Sequence, residues 1–192
     1  METGLIVGAD EFFGLSLCEY MIKEGIQVDI TFPHAHTEQN KRLLEERMMW
    51  LGRNDLIRVI DMQEGKEMYD LIFIQSEEPN HRGEDMKAKQ GKFQLLFKAP
   101  EEELRDENIP AIVLPHMYGP WTLDEERMHH DDHSFYVDDV AEALLTWAVH
   151  TSQRQGMLHY LQVERQIDTQ RAEKKIAEWN RHYSSFFDKN QE

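Results

Sequence analysis

"GLIVGADEFFG", residues Gly4 to Gly14, sets a short apolar run directly before Gly8 and closes on a second glycine, Gly14. The run "LIVGA" has the character of a strand buried on both faces. Gly8 suits a tight turn, and Gly14 suits close approach of whatever follows. Beyond it, Leu17, Cys18, Met21 and Ile22 recur at helical spacing, and Gly25 is a stop signal. Strand, glycine turn and helix in that order decide how the rest is read.

The same alternation continues outward. "IQVDITF" reads as a second strand. Thr37 is placed to cap a helix carrying Leu44, Met48 and Leu51 on one face. "LIRVID" and "YDLIFIQ" read as third and fourth strands. Residues 76–92 are polar and lack periodicity, which predicts a loop, with a helix over about Phe93 to Asp106 interrupted at Pro100. The strand and helix that would normally follow strand four are expected to be missing or much reduced. "PAIVLPHMYGPW" gives another buried strand and a Gly-Pro turn. From Val137 a regular stripe of Val140, Ala141, Leu144, Leu145 and Ala148 predicts a helix, with Asp138 and Asp139 suited to the positive end of its dipole. "MLHYLQV" and a helix bearing Ala172, Ile176, Trp179 and Tyr183 finish the chain. Strands alternating with helices specify an α/β fold, a Rossmann-like doubly wound parallel sheet with right-handed crossovers. The expected organisation is a truncated Rossmann-like NAD(P)-binding-type domain over 1–150 and a short C-terminal strand and helix over 151–192, a small α/β extension packed on the same domain.

Composition narrows the function. The 192 residues carry 37 acids against 21 bases, a formal net charge of -16, with no basic cluster to offset it. Such a field disfavours nucleic acid and anionic membranes, whose phosphates must be neutralised by clustered Lys and Arg. No stretch approaches the roughly 18 apolar residues of a membrane span, and no basic-then-apolar leader opens the sequence, so a cytoplasmic protein is expected. The lone cysteine, Cys18, falls on the apolar side of its helix and reads as a small core residue.

Three ordered segments resemble the extended short-chain dehydrogenase/reductases, the NAD-dependent epimerase/dehydratase family. "LIVGADEFFGLSLCEYMIKEG" resembles that family's first strand, glycine turn and helix. "IPAIVLPHMYGPW" is similar to its strand and Tyr-Gly-Pro turn beside the substrate cleft, and "SFYVDDVAEALLTWAV" to the Val-Asp-Asp-Val helix after it. The resemblance implies NAD or NADP as cofactor and a site formed at Gly8, Glu11, Phe12, Gly14 and Asp61, with Tyr118 and Trp121 bordering the substrate cleft. It also implies pairing into homodimers.

The departures lie along one functional axis. The middle glycine of the family's turn, which lets backbone approach the pyrophosphate, is Glu11 here. A carboxylate there brings bulk where room is needed and negative charge where diphosphate would sit. At the end of strand two, where NAD-using relatives carry an acid for the ribose, stand Phe32 and Pro33, with His34 and His36 the nearest groups for an NADP phosphate. The family's chemistry also needs a tyrosine activated by a lysine four residues on. Tyr20, Tyr69, Tyr118, Tyr136, Tyr160 and Tyr183 are followed at that spacing by Glu24, Phe73, Thr122, Val140, Glu164 and Phe187, so no such pair exists. Counting back along the family's helix sets Ala88 at the tyrosine position, with Lys92 as the lysine.

These losses point to a shortened, degenerate relative with a binding or regulatory role, acting through a nucleotide, another small molecule or a protein partner. Two alternatives stay open. One is an active NAD(P)-dependent oxidoreductase or epimerase using substitute groups such as Tyr118 or a histidine. The other is a metal-responsive protein built on the loop of His129, His130, Asp131, Asp132 and His133 with His116 upstream, whose imidazoles and carboxylates suit a divalent ion. The leading expectation for that loop is a solvated acidic segment holding no metal.

Overall fold

A computed structural model describes residues 1–32, 37–61, 64–75, 86–100, 109–150 and 158–183. The first strand, β1 (Thr3–Val7), leads through the glycine turn into α1 (Phe13–Lys23), then β2 (Gln27–Ile30), α2 (Glu38–Leu51), β3 (Ile57–Val59) and β4 (Met68–Ile74). After β5 (Lys87–Leu96) and β6 (Ala111–Val113) come the short β7 (Met117–Tyr118), α3 (Glu125–Met128) and β8 (Phe135–Tyr136). The chain continues with α4 (Val137–His150), β9 (Leu158–Tyr160) and α5 (Thr169–His182).

Seven strands form one sheet in the order β3-β2-β1-β4-β5-β6-β9, and every neighbouring pair is parallel. The order reverses between β1 and β4, where doubly wound sheets bind their ligands. The Rossmann-like fold expected from the alternating periods is therefore present, with β9 adding the last strand beside β6.

Alternation along each central strand fills both faces. Ile6, Ile30, Leu71, Phe73, Phe93 and Ile112 join Leu17, Met21, Leu44, Val140 and Leu144 in the main core. Leu5, Val7, Tyr69, Ile72 and Ile74 form a second cluster. Each such aliphatic side chain contributes on the order of 1.5–3 kcal/mol when fully buried. Cys18 lies in the main core, and burial pushes its thiol up to about 12. It behaves as the small hydrophobe its helical position implied.

The second strip of sheet differs from expectation. Residues Lys87–Lys92 are strand and not loop, and Phe93–Leu96 continue that strand in place of a helix. The strand thought missing after β4 is thus the ten-residue β5, paired with β4 from Met68↔Lys87 to Ile74↔Gln94. Its partner β6 covers only Gln94 to Leu96, so the first half of β5 is free to be polar, which hides its period. Ala88 and Lys92 lie on β5, and the register that gave them catalytic positions on a helix does not hold. Residues 76–85 and 101–108, on which the rest of the loop and helix readings fall, lie outside the described residues.

The Val-Asp-Asp-Val run works as a clamp. Asp139, buried in the first turn of α4, accepts from the backbone N–H groups of Gln166 at 3.1 Å and Ile167 at 3.3 Å. It thereby fixes the approach to α5, whose Ala172 and Ile176 pack on Tyr118 and Tyr136. Asp138 is half-exposed and pairs with Lys175. Asp139→Ala should lower stability by about 1–3 kcal/mol by stranding two amides, whereas Asp138→Ala should change it by less than about 0.5 kcal/mol. Urea unfolding of the two variants checks this difference.

Candidate functional site at the glycine turn

Gly8 adopts φ +73°, a conformation that L side chains rarely accept. At Gly14 a Cβ would fall 2.6 Å from the Ala9 Cα and 2.5 Å from the Gln75 Oε1, so no side chain fits between the turn and the end of β4. The backbone N–H groups of Gly8 and Ala9 donate to the Thr31 hydroxyl and carbonyl at 3.0 and 2.8 Å, tying the turn to the end of β2. The tight glycine turn between β1 and α1 is therefore fixed by these steric limits and by its ties to β2.

One of its donors is engaged from within. In a Rossmann turn the amides at the start of the first helix receive the pyrophosphate. Here the Gly14 N–H donates to the Asp10 Oδ1 at 2.6 Å. Glu11, only 8% exposed, accepts from the Asn40 Nδ2 at 2.8 Å. One amide at the start of α1 is thus engaged by a carboxylate of the chain, and a second carboxylate lies buried in the same turn.

Beneath the turn lies a buried cation. Arg47 of α2 donates through Nη1 to the carbonyls of Glu11 and of Phe12, the latter at 2.9 Å. Its Nη2 donates to the Ser16 Oγ at 2.9 Å and pairs with Glu19 at 3.1 Å. Arg127 of α3 sits 5.3 Å from the Phe12 ring centroid and 5.8 Å from that of Phe97. Phe12 itself is fully buried, a core residue at the helix cap. The bonds of Arg47 run to backbone of the turn, so α2 and the turn form a single unit.

Other predicted site residues lie apart. Phe32 packs on the main core at the end of β2. Pro33, His34 and His36 lie outside the described residues. Asp61 is exposed, its carbonyl accepting from the Glu64 N–H at 2.8 Å. Tyr118 is buried against Tyr136 and His130, with ring centroids 5.6 and 5.1 Å away, and burial raises its phenol pKa. Trp121 faces elsewhere, stacking near Trp179 and Tyr183. In the histidine loop, Asp131 accepts from the His133 N–H at 2.7 Å, which holds its carboxyl below the usual range, and pairs with His116 at 3.4 Å. Among the described residues no three His, Cys, Asp or Glu side chains converge as metal ligands.

Arg47, Asp10 and Asn40 were not anticipated from the sequence. The available signal was Arg47 itself, which falls on the stripe of Leu43, Leu44 and Leu51 that buries α2. A charge on a buried face needs partners. Arg47→Met, removing donors to two carbonyls and a hydroxyl, should lower stability by at least about 2 kcal/mol.

Burial pushes the Glu11 carboxyl up to about 7, with nearby Asp10 adding to the shift. Its folded pKa thus exceeds the value of 4.5 expected when unfolded, so its contribution to stability is full below pH 4.5 and is lost as pH rises through 7. Glu11→Gln keeps the acceptor for Asn40 and removes the titration. It should flatten the stability profile over that window and gain on the order of 2 kcal/mol over the parent at pH 8. Thermal or urea unfolding from pH 4 to pH 8 reads this directly.

No protein-family profile matches the chain. Its fold is similar to several solved structures. Among these are dTDP-glucose 4,6-dehydratase of Bacillus anthracis in complex with NAD (TM-score 0.62, 8% identity, 97% of this chain and 99% of that one) and UDP-glucuronic acid 4-epimerase of Bacillus cereus in complex with NAD (TM-score 0.60, 10% identity, 94% and 99%). Vestitone reductase of alfalfa is a third (TM-score 0.59, 10% identity, 97% and 100%). At such identities the likeness is one of fold. In sequence the chain is 38% identical over 196 residues to the uncharacterized protein YjaV of Bacillus subtilis strain 168, spanning 98% of this chain and all of that one. The chain therefore belongs to the same protein family as YjaV, carried on a Rossmann-like fold.

Proposed function

We propose that this protein is a non-catalytic Rossmann-like scaffold that has given up the dinucleotide at its glycine turn and serves a binding or regulatory role. The observation that carries this reading is the self-occupied turn. Asp10 holds the Gly14 N–H, Glu11 is buried against Asn40 in the same turn, and Arg47 holds that turn by its carbonyls. A pyrophosphate entering there would displace the Glu11 carboxylate from its bond to Asn40 and meet the charge of Asp10. The residues present do not fit NAD or NADP.

Two further facts support the reading. The sequence contains no tyrosine with a lysine four residues on, so the proton-transfer pair of the resembled family has no counterpart. Phe32, at the end of β2, packs into the core and offers no side-chain oxygen to a ribose.

Calorimetric titration of the untagged protein with NADH and with NADPH tests the reading. No saturable heat is expected up to millimolar cofactor, at pH 8 or at pH 5.5, where Glu11 is neutral but its bulk and its bond to Asn40 remain. Glu11→Gly alone should also fail, because Asp10 and Phe32 are unchanged. A micromolar dissociation constant for the parent, about -8 kcal/mol, would overturn the proposal and reopen the oxidoreductase reading.

A further inference from the structure

A cavity of about 250 Å³ opens between the first half of α1, the turn after β7, the start of α4, and α5. Its deepest residues are Ser16, Arg47 and Tyr136, each buried, and Trp121 and Trp179 form its aromatic wall. Glu19, Asp138 and Lys175 stand at the mouth, between 31% and 43% exposed.

The charges there come as two opposed pairs. Arg47 meets Glu19 at 3.1 Å, and Lys175 meets Asp138 at 3.4 Å. An ammonium has three donors and a carboxylate about four acceptor positions, so the half-exposed members keep capacity for a ligand. An anion would be drawn to Lys175 but repelled by Glu19 and Asp138, and a cation would meet the reverse. A molecule carrying both charges a short distance apart satisfies both pairs at once. The aromatic wall adds a surface for an apolar or aromatic body. The volume suits a molecule smaller than a nucleotide, since drug-sized ligands occupy pockets of about 300–1,000 Å³.

The wall is also held under strain. Trp121 has φ +67°, unusual for any residue but glycine. It is kept there by Arg47, 5.5 Å from its ring centroid, and by the rings of Trp179 and Tyr183 at 5.8 and 4.9 Å. Backbone strain of this kind persists where surroundings over-determine it, and it gathers at ligand clamps.

We propose that this cavity binds a free α-amino acid with an apolar or aromatic side chain, its carboxylate toward Lys175 and its ammonium toward Glu19 and Asp138. The proposal does not rest on the reading of the glycine turn, although Arg47 is shared by the two.

The test is titration of the full untagged chain with each standard amino acid at pH 7.5, followed by tryptophan fluorescence, which reports on Trp121 and Trp179, and by calorimetry. One amino acid, or a few of similar side chain, should bind saturably with a dissociation constant below about 1 mM. Lys175→Gln and Glu19→Gln should each weaken binding at least about tenfold. Trp50→Phe, on the exposed end of α2, should leave it unchanged. Lys175 is exposed enough that its variant should fold normally, and circular dichroism verifies this. The matching amine and the matching carboxylic acid, each lacking one charge, should bind at least about tenfold more weakly than the amino acid. The proposal is overturned by no saturable response to any amino acid at about 10 mM. It is equally overturned by binding that ignores Lys175→Gln and Glu19→Gln, or by equal affinity for the singly charged analogues.

Discussion

A buried guanidinium governs this end of the molecule. Arg47 is 2% exposed, and a charge so far from water must have its donors filled by the protein. The carbonyls of Glu11 and Phe12, the Ser16 hydroxyl and the Glu19 carboxylate fill those of its two terminal nitrogens, while the buried Nε has no hydrogen-bond partner among the described residues. The turn, α1 and α2 are consequently fixed as one body, and movement of the turn would strand the cation. The same guanidinium lies against Trp121, so it also sets the wall of the neighbouring cavity. A single side chain from α2 thus links the shape of the glycine turn to that of a neighbouring concavity.

Shape and chemistry have parted at this turn because different forces hold them. Gly8 and Gly14 answer to steric demands: one to a positive φ, the other to a gap too narrow for a Cβ. Those demands belong to the fold and persist whether or not anything binds. The position of Glu11 had only to leave room for a ligand. With a carboxylate at that position, Glu11 bonds to Asn40, and the Gly14 amide finds its partner in Asp10. The parallel strand order is kept, and the Gly14 donor at the helix start is satisfied internally.

Most of the architecture was legible from periodicity. β1, β2 and β4 are short apolar runs that could only be strands buried on both faces, and α4 shows its stripe from Val137 to Ala148. Thr37 does cap α2, accepting from the Asn40 N–H at 3.2 Å. β5 escaped because half of its length has no strand on its β6 side and so carries Lys87, Lys89, Gln90 and Lys92, residues that read as loop. At the turn, the residue types at Gly8, Glu11 and Gly14 spoke for themselves. Arg47 did not, since an arginine on a helix is by default a solvated residue and its burial follows only from where α2 meets the turn. Trp121 and Tyr118, neighbours along the chain, were read as a pair, yet the sharp turn between them sends one to the cavity and the other to the core.

What matters most at the turn is that the Gly14 N–H is already taken by the chain's own Asp10 carboxylate. Backbone ¹H–¹⁵N resonances of Glu11, Phe12 and Gly14, followed while NADPH is added to millimolar concentration, address it most directly. Silent amides at these three positions, with the Gly14 N–H shifting only when Asp10 is replaced by Ala, are the expected result. Saturable shifts confined to residues 8–14 on adding the cofactor would contradict it, because they would mean that the turn still yields its donors to a pyrophosphate.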